Sequence, residues 1–146
     1  MPEFIDPTPA DQCLFCKLIA GQIPSVRVFE DDLTLAFMDL GQVNPGHVLV
    51  ASKRHARTLL DLTPEEAAAV MQTARRVALA AQAAFQPEGI TLLQANGAVA
   101  GQTVGHFHIH VVPRHADDGI TFTWPRQEPG AAVLTDYAGR LRDAWR

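Results

Sequence analysis

Gly105-His106-Phe107-His108-Ile109-His110-Val111-Val112-Pro113-Arg114 decides how the rest of the chain is read. It carries three of the six histidines at every second position, with Phe107, Ile109 and Val111 between them. A β-strand sends successive side chains to opposite faces, so this spacing predicts one strand with His106, His108 and His110 on one face. Neighbouring imidazoles then stand roughly 6.5–7 Å apart. The apolar alternates supply the buried face. Three readings compete for the imidazole row. It is a set of packed or surface histidines, a metal site, or a reactive centre in which one imidazole is a nucleophile and its neighbours fix tautomer and protons. No Asp or Glu follows until Asp117 and Asp118, beyond Pro113. The balance favours chemistry, with any metal confined to one end of the strand.

The upstream residues Asn96-Gly97-Ala98-Val99-Ala100-Gly101-Gln102-Thr103-Val104 form a polar loop punctuated by glycine. Glycine lets backbone approach a ligand closely, and Gln102 and Thr103 are neutral donors suited to phosphate oxygens. With these residues in place, the stretch 101–114 resembles the signature of the histidine triad family of nucleotide hydrolases and transferases. That signature is His-φ-His-φ-His-φ-φ, with φ apolar, preceded by Gly-Gln-x-Val. Asn44-Pro45-Gly46-His47 resembles a second block of the same family.

The chain has 146 residues, 47% of them hydrophobic and 19% charged, which is enough apolar mass for one core and no more. A net charge of −4 without a Lys/Arg block argues against a nucleic-acid footprint, but not against one small phosphate ligand. No run reaches ~18 apolar residues, and the N-terminus lacks a basic-then-apolar signal pattern. The expectation is a cytoplasmic protein without membrane attachment. Residues 1–12, with Pro2, Pro7 and Pro9, read as a poorly ordered leader to a single domain over 13–146.

Cys13-Leu14-Phe15-Cys16 admits a redox pair, half of a zinc site, or two buried thiols. The redox reading wants a thioredoxin-type βαβ unit after it, and none is evident. His55 and His106 are available to complete a Cys2His2 zinc set. The family resemblance implies that set, Cys13, Cys16, His55 and His106, as a structural zinc site in some members. It gives zinc to the first triad histidine and chemistry to the middle one.

Val26–Glu30 and Thr34–Asp39 read as two strands joined at Asp31-Asp32, and Val48–Ala51 as a third. Thr63-Pro64-Glu65-Glu66 is a strong helix start, with Thr as N-cap, Pro at the first helical position and Glu three residues on. The helix is expected to run to about Phe85, with an apolar stripe of Ala67, Val70, Met71, Ala74, Val77, Ala78, Ala81 and Phe85. Ile90–Gln94 gives a fourth strand and the triad stretch a fifth. Val133, Leu134, Tyr137, Leu141 and Trp145 recur at helical spacing. The expected fold is therefore α+β: a five-stranded antiparallel sheet, one long helix between strands three and four, and a C-terminal helix.

From the resemblance come the remaining roles. His108 attacks the α-phosphorus of a nucleotide derivative and forms a nucleotidyl-histidine, with His110 and His47 completing the catalytic group. Asp39 meets a ribose hydroxyl pair, while Phe37 and Leu40 wall the base. Gln102, Thr103 and Asn96 face phosphate oxygens. The absence of a carboxylate cluster for magnesium predicts chemistry at phosphorus without a metal. His110 stands where the uridylyltransferase branch has glutamine, which favours hydrolysis over transfer. The alternative is a zinc-stabilised nucleotide-binding or scaffold module with little turnover. Relatives pair through a matching helix and edge strand, so a homodimer is expected.

Overall fold

The computed structural model describes residues 12–146. The expected leader therefore lies outside the described residues, apart from Gln12. Five strands, β1 (Arg27–Glu30), β2 (Thr34–Met38), β3 (Val48–Ser52), β4 (Gly89–Leu93) and β5 (His108–Arg114), form one antiparallel sheet in the order β1-β2-β3-β5-β4. Helix α2 (Pro64–Phe85) joins β3 to β4. Thr63 accepts the Glu66 N–H and Pro64 occupies the first turn, as expected, but Glu66 does not complete a capping box because its carboxylate is taken by Arg54. The α+β plan is thus the one expected, with two additions.

The first addition is α1 (Leu14–Ile19), a short helix capped by the Cys13 side chain, which accepts the Cys16 N–H. The second concerns the triad. β5 begins only at His108, because the Phe107 N–H is taken by the Ala56 carbonyl at 2.7 Å and not by the ladder. His106 therefore precedes the strand.

The period of two sorts the sheet into two faces. Ala36, Val48, Val50, Ile109 and Val111 pack against Val70, Ala74 and Val77 of α2 to make the main core. The opposite face carries Leu35, Phe37, Leu49 and Ala51, and α1 covers part of it through Phe15 and Leu18. Register places Leu49 and Leu93 beside His110 and Ala51 beside His108, so the imidazoles rise from this second face next to α1. Gly46, at φ 94°, turns the chain into β3. A Cβ there would lie 2.7 Å from the Phe85 ring, so a side chain fails on both sterics and torsion.

Ala74, with no exposure, faces the sheet. Val70, Ala74, Val77 and Ala81 of the expected stripe are consequently core, whereas Met71 and Phe85, expected in the same stripe, are exposed with Leu79 on the outer side of α2. Helix α3 (Ala131–Ala144) buries none of its side chains, and its row of Leu134, Tyr137 and Leu141 stays exposed. No helix among the described residues is long and apolar enough to cross a membrane.

Candidate functional site

Two side-chain clusters meet at residue 106. In the first, Cys13, Cys16, His55 and His106 bring four potential ligand atoms within 4.8 Å of one another. The sulfur–nitrogen separations are 3.4 Å from Cys13 to His106, 3.2 Å from Cys16 to His55 and 3.5 Å from Cys16 to His106. A tetrahedral zinc with bonds of about 2.3 Å to sulfur and about 2.0 Å to nitrogen holds such atoms about 3.5 Å apart. The His106 Nε2–H donates to the Ser52 carbonyl at 2.6 Å, which leaves Nδ1 with its lone pair toward the two sulfurs. Burial, then the hydrogen bond and charge of Cys13, push the Cys16 thiol up to about 12. A Cys16 thiolate is therefore disfavoured here unless a cation sits beside it. The donor set therefore fits zinc.

The second cluster is Asp39, His47, His108 and His110. His108 Nδ1 donates to the His106 carbonyl at 2.7 Å, so its Nε2 carries the free lone pair. His47 Nδ1 accepts the Val43 N–H at 3.3 Å, which puts the His47 proton on Nε2. Nε2 faces His110 Nδ1 at 2.9 Å, and His110 accepts. The His110 proton is then on Nε2. The Asp39 carboxylate lies 3.4 Å from His47 Nε2 and 3.9 Å from His110 Nδ1. The His108 and His110 rings are 5.1 Å apart, centroid to centroid.

These rings floor a cleft of about 280 Å³ between α1 and the end of β2. Phe15, Leu18, Ile23 and Leu49 make it mainly apolar. Phe37, Asp39, Leu40, Thr103, His108 and His110 all line it, Leu40 at the rim with 95% of its surface exposed. Phe15 packs edge-on to His108 at 5.1 Å. A second recess of about 300 Å³ continues past His110 along β4 and β5, toward Leu93, Val112 and Phe122.

Two expected phosphate donors are placed elsewhere. The Gln102 amide donates to the Arg57 and Val104 carbonyls and accepts the Gly97 N–H, so its hydrogen-bonding capacity braces its own loop. Asn96 accepts from the Leu59 N–H and exchanges hydrogen bonds with Gln94. It lines neither cavity. Sequence reading also missed Phe15, Val43 and the role of α1 as a cleft wall. The only signal for Phe15 was its position between the cysteines.

With the geometry in view, the class is defined by an antiparallel α+β sheet bearing an imidazole cluster beside an apolar cleft. Residues 20–117 match the HIT domain model, and the chain belongs to that family. It is 42% identical over 116 residues to protein hit of Bacillus subtilis, covering 79% of this chain and 80% of that one. It is 37% identical over 114 residues to adenosine 5'-monophosphoramidase hnt1 of Schizosaccharomyces pombe, covering 77% and 83%. Among solved structures, a HIT family protein from Bacillus anthracis superposes with a TM-score of 0.90 at 40% identity, over 94% of this chain and all of that one. A zinc-bound histidine triad family protein from Mycobacterium smegmatis superposes with a TM-score of 0.73 at 32% identity, over 93% and 99%.

Burial is the first cause that lowers the proton affinity of His47, His106, His108 and His110, and it takes His110 to about 4. In the unfolded chain these rings titrate near ~6.5. Between the two values the unfolded state binds more protons, so stability is present above ~6.5 and declines as pH falls toward the folded value. Carboxylates held low by arginine, Glu66 by Arg54 and Asp118 by Arg114, remove further stability below ~4. His110→Gln should therefore flatten the acid limb of the stability curve by up to about 1.4 kcal/mol per pH unit. Urea melts of parent and variant between about pH 6.5 and 4 check this. Identical slopes would mean that His110 is already charged in the folded protein.

Proposed function

We propose that the protein hydrolyses a nucleotide derivative at its α-phosphorus, with His108 as nucleophile. The observation that carries this reading is the tautomer of His108. Its Nδ1–H is committed to the His106 carbonyl, so a neutral ring presents a lone pair on Nε2 inside the cleft. The apolar floor around Phe37, with Leu40 at the rim, accepts the base. Asp39 meets the ribose hydroxyls, and Thr103 the phosphate. Nε2 of His108 bonds to phosphorus while the bond to the leaving group breaks, the electron pair departing with that group, which takes up a proton. Water then displaces the histidine and restores it. His110 directs its Nε2–H at the phosphoryl oxygens, where negative charge grows. His47 holds His110 in the tautomer this requires. The relative named as an adenosine 5'-monophosphoramidase supports a purine nucleoside phosphoramidate as the substrate to try first, with dinucleoside polyphosphates second.

His108→Gly should abolish turnover of an adenosine phosphoramidate, a loss of more than ~10³-fold, while nucleotide binding measured by calorimetry survives. Parent-like hydrolysis by the variant would sink the assignment. A parent that binds nucleotide but turns over neither substrate class would leave a nucleotide-binding module instead.

Zinc, held by Cys13, Cys16, His55 and His106, is a structural cross-link in this reading. It ties α1 to His106, two residues before the nucleophile's strand. Elemental analysis of protein purified without added metal should give about one zinc per chain. Cys13→Ser should lose the metal and melt earlier, while kcat for the remaining folded fraction stays within about tenfold. Zinc-free parent protein of unchanged stability would return the cysteines to free thiols.

The molecule acts as a homodimer in this proposal. Exposed Met71 and Leu79 on α2 lie on the same side of the sheet as exposed Leu92 of the edge strand β4, an apolar surface suited to a two-fold pairing. Sedimentation equilibrium at micromolar concentration should give twice the chain mass, and Leu79→Glu should halve it without unfolding. A monomeric parent defeats the proposal.

A further inference from the structure

The loop between β2 and β3 carries a side chain that touches neither cavity yet is bonded at every polar position. The Nε2 of Gln42 donates to the carbonyls of Asp39 at 2.6 Å and His47 at 2.7 Å. Its Oε1 accepts the N–H groups of Gly46 at 2.9 Å and His47 at 3.0 Å. An amide side chain offers two donors and two lone pairs, so the set is complete. The residue is exposed, and an exposed glutamine gains little from folding inward unless the loop needs it.

The position of this clasp explains what it does. The ladder between β2 and β3 ends at the Met38–Val48 pair. Gln42 lies across the open end and holds Asp39 and His47, the two loop-end residues whose side chains enter the imidazole cluster. The next residue, Val43, presents the N–H that His47 Nδ1 accepts. Asn44 anchors the same loop outward, to the Pro113 carbonyl and Asp118. Gln42 and Asn44 thus stretch Val43 between two fixed points.

The chemistry makes that N–H matter. With Nδ1 of His47 occupied as an acceptor, the proton sits on Nε2 and is donated to His110 Nδ1. His110 must then carry its own proton on Nε2, on the substrate side. Were the Val43 N–H to swing away, His47 could place its proton on Nδ1. Its Nε2 lone pair would then face both His110 Nδ1 and the Asp39 carboxylate. His110 could relieve this only by protonating Nδ1, leaving a bare Nε2 lone pair against an anionic phosphate.

We propose that Gln42 is a positioning residue: by clasping the 39–47 loop it fixes the tautomer of His47, and through it the N–H that His110 offers to the phosphoryl group. The proposal rests on the hydrolase reading for its kinetic consequence, but not for its geometry.

Long-range proton–nitrogen correlation spectra of protein with labelled histidine rings provide the test. In the parent, His47 should show an unprotonated Nδ1 and His110 a protonated Nε2. Gln42→Met keeps the bulk and removes the hydrogen bonds. It should mix the two tautomers of His47 and lower kcat on an adenosine phosphoramidate by roughly ten- to a hundredfold, with KM moved less than about twofold. Gln42→Glu, whose second oxygen would face the Asp39 and His47 carbonyls with no N–H to donate, should not recover that rate. A parent spectrum with the His47 proton on Nδ1 overturns the proposal without any variant. So does a folded Gln42→Met with parent-like ring signals, or one in which KM alone rises. If the parent turns over no nucleotide at all, the hydrolase reading falls, and the ring spectra alone still decide the clasp.

Discussion

The hydrogen bond from His108 Nδ1 to the backbone carbonyl of His106, 2.7 Å long, is the constraint on which the rest of this molecule turns. It needs residue 106 to be immobile, and five other contacts make it so. The His106 ring is pinned at Nε2 by the Ser52 carbonyl and faces two sulfurs at Nδ1. The next residue is tied at its N–H to Ala56, and its ring, Phe107, is sealed in the core against α2. One residue thus belongs to the cysteine cluster by its side chain and to the reactive cluster by its backbone. Strain or slack in the first is transmitted to the second through a single peptide unit.

Helix α1 offers a parallel route between the same two clusters. It has six residues, too few to persist alone in water, so its order derives from Cys13, Phe15 and Leu18 being buried. Phe15 contacts His106, His108 and Phe37 edge-on at 5.9, 5.1 and 5.3 Å. The same ring therefore helps orient His108 and walls the cleft. A metal that cross-links Cys13 and Cys16 to His55 and His106 would order the wall as well as the approach to β5. Stability and substrate shape are then not separable properties at this end of the molecule.

Much of this was legible in the sequence because it rests on period and on short-range caps. The alternation from Phe107 to Val111 declared a strand with one buried face, and Thr63-Pro64-Glu65-Glu66 declared the start of α2. Cys13 and Cys16 were legible by donor type as half of a zinc site, and the family resemblance singled out His55 and His106 to complete it. The family pattern then named Asp39, His47, His108 and His110, which the fold brings together. What escaped was decided by competition for hydrogen bonds. Gln102 had the right chemistry for a phosphate, but the Arg57 and Val104 carbonyls claimed its amide. Asn96 was claimed by the Leu59 N–H. His106 matched the strand period, yet Ala56 took the bond that would have extended the ladder. Such outcomes depend on which backbone groups are left unpaired nearby, and a one-dimensional pattern does not contain that information.

Charge gives the site its character. Neither Lys nor Arg lines the main cleft, and Arg114, in the recess beyond His110, is held by Asp118 in a two-point pair and donates further to Thr91 and the Ile120 carbonyl. Lys53 and Arg27 are likewise paired with Glu30, and Arg54 with Glu66. A phosphate entering here meets neutral imidazole N–H groups and a nearby carboxylate, not a fixed cation. Ground-state attraction for a polyanion is accordingly weak, since the site has no charge waiting for it. Buried N–H donors act differently, gaining most where negative charge grows inside a low-dielectric cleft. Burial, which depresses the affinity of these rings for protons, is thus also what favours a neutral His108 ring. A site rich in cations would bind nucleotide more tightly. It would hold bound nucleotide and reacting phosphorus alike, and that adds nothing to the chemical step.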